Sequence, residues 1–160
     1  RYFIKRKMNK IPINLSVLIN RKKEINYGIK NISTYVKFAK RVKSSKKKLR
    51  KIFLQLKNKK KDIIGYGVTA KSTTILNYCD IGKKFISYFV DTTKDKQNKY
   101  TPGMKIPIYK YPGFIEKNID YIFLGAWNFK EEIFKKEKKY IKRGGKFITH
   151  TPFPKIIKKN

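Results

Sequence analysis

The residues best suited to chemistry form one short segment, Gly65-Tyr66-Gly67-Val68-Thr69-Ala70-Lys71-Ser72, which follows the apolar run Ile63-Ile64. The spacing Gly65-x-Gly67-x-x-Ala70 fits the dinucleotide-binding fingerprint, and the segment also lies within one substitution of a phosphate-binding P-loop. In both motifs, glycines bring the backbone close to a phosphate at the N-terminus of a helix. The pattern therefore predicts a strand, a tight turn and a helix with an anion site. A turn that needs glycine only for packing fits the same spacing.

Two charged residues extend this candidate site. Lys71 lies at the predicted helix start, where its ammonium group would meet a diphosphate. Asp91 ends the next apolar run, Phe85–Val90, about where a dinucleotide-binding unit places the acid that binds a ribose. Each also has a simpler interpretation, because the chain has many surface lysines and an acid often ends a strand. The residues alone leave both interpretations open.

The elements that would position these residues alternate between strands and helices. Helical periodicity first predicts a long basic helix over Ser33–Leu56, with Ser33 as its cap. It is followed by strand Asp62–Tyr66, helix Ser72–Tyr78, strand Phe85–Val90, loop Asp91–Lys105, the extended run Ile106–Tyr109, helix Gly113–Lys117, strand Tyr121–Ala126, helix Glu131–Ile141 and strand Lys146–Thr149. Pro107 indicates an edge strand or a loop-like run. The alternation predicts an α/β fold with a mostly parallel sheet flanked by helices.

Ligands of such sheets bind beyond the carboxyl ends of the strands. In this chain those ends carry Tyr66-Gly67, Asp91, Trp127-Asn128 and His150-Thr151. Trp127 could stack on a base or a sugar, although a lone tryptophan after a buried strand more often belongs to the core. Asn128 is as good a helix cap as a ligand contact, and His150 is a less favoured candidate for a catalytic base.

The composition excludes several kinds of protein. One cysteine and one histidine leave neither a disulfide framework nor a His/Cys metal cluster. No apolar run is long enough to span a membrane. A length of 160 residues favours a single domain with a real core. We therefore expect a cytoplasmic protein with no membrane partner.

The formal net charge of +32 is extreme. Such a charge would serve nucleic-acid or anionic-membrane binding, or it would be a lysine-rich surface without a role. The lysines are spread along nearly the whole chain and greatly outnumber the arginines, whereas specific nucleic-acid recognition depends on arginine. We therefore expect no specific nucleic-acid partner.

Many short motifs recur here in the order found in one known family. They are Gly65-Tyr66-Gly67-Val68-Thr69-Ala70-Lys71, Leu76-Asn77-Tyr78-Cys79, Val90-Asp91, Lys96-Gln97-Asn98-Lys99-Tyr100-Thr101-Pro102-Gly103, Ile106-Pro107-Ile108, Ala126-Trp127-Asn128, Glu132-Ile133 and Gly144-Gly145-Lys146-Phe147. Together they resemble the C-terminal domain of the S-adenosylmethionine-dependent sugar C-methyltransferases, over roughly Asp62–Pro154. The resemblance implies a Rossmann-like fold. Ser72, Asn98 and the pair Val68-Thr69 depart from the usual family residues, but Ser72 can cap the helix and Asn98 tolerates left-handed backbone.

The resemblance also predicts how the chain is divided. Arg1-Tyr2-Phe3-Ile4 looks like the tail of the family's central domain, and the polar run Lys5–Lys30 is interpreted as a connector with one buriable apolar cluster. Residues 1–30 are therefore assigned to an upstream domain and connector, and residues 31–160 to a Rossmann-like substrate-binding domain. Because the chain opens on Arg1 and not on methionine, we expect a fragment.

The family resemblance implies a layout and a reaction. An N-terminal domain would bind zinc, a central Rossmann domain would bind S-adenosylmethionine, and this C-terminal domain would help to bind a nucleotide-diphosphate sugar, typically a thymidine-linked keto-deoxysugar. A carbon next to the ketone would lose a proton and attack the sulfonium methyl group. The zinc ligands, the methyl-donor loop and the catalytic His and Glu would all lie upstream of Arg1. We therefore expect no catalytic residue and no metal ligand here, and an inactive fragment.

The resemblance and the motifs together give the expected substrate-binding residues. They are Tyr66, Gly67, Ala70, Lys71, Thr73, Thr74, Asp91, Lys96, Tyr100, Pro102, Gly103, Trp127 and Asn128. Thr73 and Thr74 serve equally well as helix caps, and Tyr100 to Gly103 as a type II turn. Two other classes remain open: an NAD-binding domain of a dehydrogenase, and a basic nucleic-acid-binding module. Lys71 and the loop Lys96–Gly103 favour the methyltransferase.

Overall fold

The structure is a computed structural model that describes residues 4, 6, 8, 12–116 and 118–158. The chain divides into two compact units, Arg1–Val42 and Lys43–Asn160. Helix α1 (Leu15–Tyr27) lies in the first unit, whereas the long helix α2 (Ile32–Asn58) begins in the first unit and ends in the second. The predicted long basic helix is confirmed, although it begins one residue before the expected cap, Ser33.

The predicted connector Lys5–Lys30 contains α1. The side chain of Asn14 accepts a hydrogen bond from the backbone amide of Ser16 at 2.9 Å, and this interaction caps the first turn. Gly28, with a φ of 80°, ends the helix in the left-handed conformation that glycine favours. The sequence interpretation missed α1 because its apolar residues do not follow a single helical face. The domain boundary at residue 30 stays a prediction.

The described apolar side chains of the first unit are exposed, apart from the half-buried Val42. Helix α1 buries none of its residues, and the residues expected to form a buriable cluster are open to solvent. The exposed members of that cluster are Ile13, Leu15, Val17, Leu18 and Ile19. Its remaining member, Ile11, lies outside the described residues, as do Arg1, Tyr2 and Phe3 of the predicted central-domain tail.

The second unit contains a seven-stranded sheet. Its elements after α2 are β1 (Ile63–Tyr66), α3 (Ala70–Cys79), β2 (Phe89–Asp91), β3 (Lys99–Tyr100), β4 (Pro107–Lys110), β5 (Tyr121–Leu124), α4 (Lys130–Lys136), α5 (Lys138–Lys142), β6 (Lys146–Thr149) and β7 (Lys155–Lys158). The strand order is β3-β4-β2-β1-β5-β6-β7. Strands β4, β2, β1, β5 and β6 are parallel, whereas β3 and β7 pair antiparallel at the two edges. The predicted α/β fold with a Rossmann-like, mostly parallel sheet is confirmed.

Helices cover both faces of this sheet because its central strands are apolar on both sides. Helices α2 and α3 cover one face, where the core contains Leu49, Phe53, Leu56, Leu76, Phe89 and Phe123. Helices α4 and α5 cover the other face, where the core contains Ile122, Leu124, Ile133, Phe134, Tyr140 and Phe147. Successive strand residues alternate between the two faces, as a pleated strand requires. The sheet is thus a rigid platform for the loops at its carboxyl edge.

Several predicted elements have different bounds. Strand β2 begins at Phe89 and not at Phe85, because the backbone amides of Phe85 and Ile86 donate to the carbonyl of Gly82 and form a turn. Residues 113–116 form no helix, since the φ of 90° at Gly113 is incompatible with a right-handed helix. Lys117, the last residue of that predicted helix, lies outside the described residues.

The edges of the sheet also differ from the prediction. Strand β4 lies between β3 and β2, so the expectation that Pro107 marks an edge strand is wrong. Pro107 is tolerated because it is the first residue of β4, where no ladder amide is required from it. The predicted helix Glu131–Ile141 is divided into α4 and α5 at Glu137. Strands β3 and β7 were not predicted.

Candidate functional site

The parallel strands reverse their order between β1 and β5, which makes the carboxyl ends of these two strands the topological switch point of the sheet. The backbone carbonyl of Tyr66 accepts hydrogen bonds from the amides of Gly125 and Ala126, at 3.0 and 3.2 Å. The loop after β1 and the loop after β5 are therefore tied together. We call the space between these loops the crevice. In open α/β sheets, ligands bind at this position.

Gly65 in β1 and Gly67 just after it are both required by the packing of the chain itself. A Cβ atom at Gly65 would lie 2.2 Å from the ring of Phe89. Gly67 has a φ of 76°, and a Cβ atom there would lie 2.5 Å from the Cβ atom of Ala126. These contacts explain the glycine spacing without a ligand, which is the simpler of the two interpretations that the sequence allowed.

Helix α3 starts with a capping box. The Thr69 hydroxyl accepts a hydrogen bond from the amide of Ser72 at 3.1 Å, and the Ser72 hydroxyl accepts one from the amide of Thr69 at 2.9 Å. The predicted cap is therefore corrected: Thr69 is the N-cap residue, and Ser72 is its partner three residues later. In the part of the chain that the structure describes, the amides of Ala70 and Lys71 donate to no other group. Two amides at the positive end of α3 thus remain available to an anion.

Asp91 holds the glycine turn in place. Its two carboxylate oxygens accept hydrogen bonds from the amides of Val68, at 2.7 Å, and Thr93, at 2.8 Å. The Lys96 ammonium lies 3.5 Å from the carboxylate and donates to the carbonyl of Val68 at 2.7 Å. Burial would raise the pKa of Asp91, but the two amides and Lys96 outweigh it and hold the pKa below its ordinary value. Asp91 and Lys96 therefore bind the turn directly.

Replacing Asp91 by asparagine is expected to lower the free energy of unfolding by about 2–4 kcal/mol, because the amide group cannot accept both buried backbone hydrogen bonds. Urea unfolding at pH 7 would measure the change. Asp80→Asn is the matched control, since the Asp80 carboxylate is exposed and asparagine tolerates its left-handed backbone. Equal losses in the two variants would show that Asp91 does not hold the turn.

Three of the expected substrate-binding residues meet at the mouth of the crevice. The Lys71 ammonium donates to the side-chain oxygen of Asn128 at 3.2 Å and lies 5.6 Å from the centroid of the Trp127 ring. Trp127 is half-buried and packs against the core on the α4 side of the sheet. Lys71 and Asn128 are exposed. A cation, an amide and an aromatic ring thus lie beside the free amides of α3.

The other residues around α3 contribute less directly. The Thr74 hydroxyl donates to the carbonyl of Ala70 at 3.0 Å, and Thr73 is half-buried. The side chain of Tyr66 turns away from α3 into the core on the α4 side. The Thr74 hydroxyl is therefore already bonded within α3, and the Tyr66 ring packs on the face of the sheet opposite α3.

Tyr100, Pro102 and Gly103 lie at the opposite edge of the sheet. The carbonyl of Pro102 accepts a hydrogen bond from the side chain of Asn77 at 3.0 Å, and a Cβ atom at Gly103 would overlap the same side chain. Asn77 is near the C-terminus of α3, whereas Lys71 is in its first turn. The structure therefore does not bring this loop to the crevice, because β3 returns antiparallel along β4 towards its amino-terminal end.

Two residues that the sequence did not indicate lie near Tyr66 at the end of β1, the half-buried Tyr111 and the buried Glu137. The Tyr111 hydroxyl donates to the Glu137 carboxylate at 2.6 Å, and the rings of Tyr66 and Tyr111 are 5.3 Å apart. Burial raises the pKa of Glu137, and it raises the pKa of Tyr66 to about 12. The Tyr66 hydroxyl is buried and has no hydrogen-bond partner among the described residues. No spacing links residues so far apart in the sequence, so only the fold could show this cluster.

His150 is buried behind the carboxyl end of β6. Its ring stacks on Phe123 with the centroids 5.5 Å apart, and its Nδ1 atom has no partner in the described part of the chain. Burial lowers the pKa of His150 to about 4, so the side chain is neutral at pH 7. Among the described residues, His150 has no acidic partner of the kind that orients a catalytic histidine.

Residues 4, 6, 8, 12–116 and 118–158 contain neither a candidate metal site nor a helix that could span a membrane. No group of three or more His, Cys, Asp or Glu side chains there could hold a metal ion. None of the helices in these ranges has both the length and the apolar character needed to cross a membrane.

The fold is a Rossmann-like α/β fold with a mostly parallel sheet, and sequence comparison gives its family. The chain belongs to the C-methyltransferase C-terminal domain family, whose sequence model matches residues 1–152. Among individual proteins, C-methyltransferase NovU of Streptomyces niveus is 34% identical over 134 residues, which cover 84% of this chain and 32% of NovU. The chain therefore spans about a third of the length of this relative. The resemblance found in the sequence motifs is confirmed.

Proposed function

We propose that this chain is the substrate-side part of an S-adenosylmethionine-dependent C-methyltransferase that acts on a nucleotide-linked keto-deoxysugar. Family membership and the similarity to NovU support the C-methyltransferase class. The proposed reaction removes a proton from a carbon next to the sugar ketone, and that carbon then attacks the sulfonium methyl group. The catalytic groups, the methyl-donor site and any zinc site are proposed to lie in other parts of a longer, cytoplasmic enzyme.

The observation that carries this proposal is the convergence of Lys71, Asn128 and Trp127 beside two free amides of α3. A diphosphate at the positive end of α3 would accept hydrogen bonds from those amides and from the Lys71 ammonium. Trp127 offers a ring on which a base or a sugar can stack. Lys71 already donates to Asn128, which holds the ammonium at the mouth of the crevice before a ligand arrives. These groups bind and orient a substrate and perform no bond-breaking step.

The structure disfavours a ribose at Asp91. In dinucleotide-binding domains, the acid at this position accepts hydrogen bonds from a ribose. Here each oxygen of the Asp91 carboxylate already accepts a backbone amide, and Lys96 lies beside it. A ribose hydroxyl would have to share these oxygens with the two amides and Lys96, which makes Asp91 a weaker ribose acceptor than the acid of a dinucleotide-binding domain. This arrangement supports a nucleotide sugar over the dehydrogenase alternative, and we propose that the methyl donor binds to another part of the enzyme.

Calorimetry with thymidine diphosphate, a thymidine-diphosphate sugar and NAD tests the proposal. Lys71→Ala is expected to weaken binding of the two diphosphates by about ten- to a hundredfold, because a charge-assisted hydrogen bond contributes about 1.5–3 kcal/mol. Lys139→Ala removes the same charge from an exposed position on α5 and should leave the affinity nearly unchanged. NAD binding more tightly than the diphosphates, with Lys71→Ala without effect, would establish the dehydrogenase alternative.

A further inference from the structure

Five lysines converge on a cavity at the amino-terminal edge of the sheet, the edge opposite the crevice. The cavity has a volume of about 290 Å³. Two segments line it: the end of α2 with the start of β1, and the turn that leads into β2. The lysines are Lys57, Lys60, Lys61, Lys83 and Lys84. We call this feature the lysine cavity.

The positive charge of the lysine cavity is only partly compensated. Lys61 pairs with Asp120 at 3.0 Å, and Lys84 lies 3.7 Å from Asp80. Lys57, Lys60 and Lys83 form no ion pair among the described residues. One carboxylate, that of Asp62, also lines the cavity. The five ammonium groups thus face three carboxylates, and the cavity retains an excess of positive charge.

Two of these lysines make cation–π contacts with the ring of Phe85. The Lys57 ammonium lies 5.6 Å from the centroid of the Phe85 ring, and the Lys84 ammonium lies 5.3 Å from it. Cation–π attraction to this ring helps to hold both ammonium groups at the cavity. The hydroxyl-bearing Ser87 follows in the same lining segment. Lys57 and Lys84 thus share one aromatic wall of the cavity.

Lys60 stands at a backbone position that favours glycine. The amide of Lys60 donates to the carbonyl of Lys57, and the amide of Lys61 donates to the carbonyl of Leu56. These two hydrogen bonds form the Schellman motif that ends α2, in which glycine is the usual residue at the left-handed position. Lys60 occupies that position with a φ of 50°. Lys60 therefore lines the cavity although its left-handed backbone is strained.

We infer that the lysine cavity binds an oligophosphate anion, either free or as the phosphate chain of a nucleotide. Several cations around a concave site suit a compact anion with several negative charges better than a single carboxylate. A cavity of this size admits a short phosphate chain, whereas an extended nucleic-acid backbone would require a long groove. The lysine cavity and the crevice lie at opposite edges of the sheet, so this inference does not depend on the proposed function.

Calorimetry with tripolyphosphate at physiological salt tests the inference. The double substitution Lys60→Gly with Lys83→Ala is expected to weaken binding by about tenfold or more, because two unpaired ammonium groups are removed. Lys47→Ala with Lys51→Ala removes the same charge from the exposed face of α2 and should change the affinity by less than about threefold. Equal losses in the two double variants, or no saturable binding, would overturn the inference.

Two further measurements separate a binding site from structural damage and from the crevice. Lys60→Gly alone should not lower the urea unfolding midpoint, because glycine relieves the left-handed backbone. A nucleoside triphosphate should lose affinity for the Lys60→Gly, Lys83→Ala variant as tripolyphosphate does, and it should retain a saturable binding step in Lys71→Ala. Should Lys71→Ala abolish all binding of tripolyphosphate, the phosphates bind at the crevice and the inference fails.

Discussion

Replacing Gly67 by valine is expected to lower the free energy of unfolding by about 3–6 kcal/mol. The left-handed backbone at φ of 76° contributes about 2–3 kcal/mol of this loss for a β-branched side chain. The remaining 1–3 kcal/mol or so comes from overlap with the Cβ atom of Ala126, only 2.5 Å from the new Cβ atom. Since native domains are stable by about 5–15 kcal/mol, the variant should be close to unfolding at room temperature.

Gly144→Val provides the matched control for this experiment. Gly144 also has a left-handed backbone, with a φ of 86°, but a Cβ atom there meets nothing within 4 Å. Its substitution should therefore cost only the backbone strain, about 2–3 kcal/mol. Urea unfolding of both variants would isolate the overlap at Gly67. Equal losses would contradict the close contact between the loops after β1 and β5.

The close approach of Gly67 to Ala126 also positions the groups at the mouth of the crevice. Ala126 immediately precedes Trp127, and its amide donates to the carbonyl of Tyr66. A side chain at Gly67 would push the two loops apart and displace Trp127 and Asn128 from Lys71. We therefore expect a milder variant, Gly67→Ala, to bind thymidine diphosphate more weakly even where it remains folded.

The sequence was sufficient to predict the elements whose signals are local. The run Ile63-Ile64-Gly65 with its following glycine indicated the strand and turn, and the helix after it was found within two residues of its start. The periodic apolar residues of α2 likewise indicated a long helix. Such elements can be predicted from local signals, because neighbouring residues determine the backbone conformation and the face of the element that is buried.

The contents of the site depended on contacts that no local pattern encodes. Asp91 was expected to face a ribose, but the fold presents the amides of Val68 and Thr93 to its two oxygens. Glu137 lies within the predicted helix Glu131–Ile141 without any signal that marks it as buried, yet it is buried against Tyr111, which is 26 positions earlier. The Asp91 contacts depend on how the loops after β1 and β2 meet, and the Glu137 contact depends on how α4 and α5 pack on the sheet.

For the loop Tyr100–Gly103, the sequence predicted the local turn but not its place in the fold. Its proline and glycine correctly indicated a turn, and Gly103 has the positive φ that a type II turn requires. The sequence did not indicate that β3 forms a short antiparallel pair with β4. That pairing carries the turn to the amino-terminal edge of the sheet, away from Lys71. The two residues of β3 do not by themselves indicate in which direction the strand runs. That direction determines which of the expected site residues lie close together.

Acidification is expected to destabilise the folded chain through its single histidine. Burial lowers the pKa of His150 to about 4 in the folded state, against an ordinary value near 6.5. Between these two pH values His150 is protonated in the unfolded chain and neutral in the folded chain. The free energy of unfolding therefore falls as the pH falls. The full loss is about 3 kcal/mol, of which about 2 kcal/mol is reached at pH 5.

A substitution separates this contribution from those of the carboxylates. The raised pKa of Glu137 acts in the opposite direction, because its stabilisation is complete below its ordinary pKa and is lost as the pH rises. His150→Phe retains an aromatic ring against Phe123 but cannot bind a proton. Its free energy of unfolding, measured in urea between pH 7.5 and 5, should fall by about 2 kcal/mol less than that of the unsubstituted chain.

Nuclear magnetic resonance gives a direct check that does not require the variant to fold. Because the chain has one histidine, its imidazole signals need no assignment. Their shifts should stay constant from pH 8 down to about 5 and move only as the pH approaches 4. Titration near pH 6.5 in the folded chain would mean that the His150 ring is open to water. The unpartnered Nδ1 atom beside Phe123 would then no longer account for any acid sensitivity.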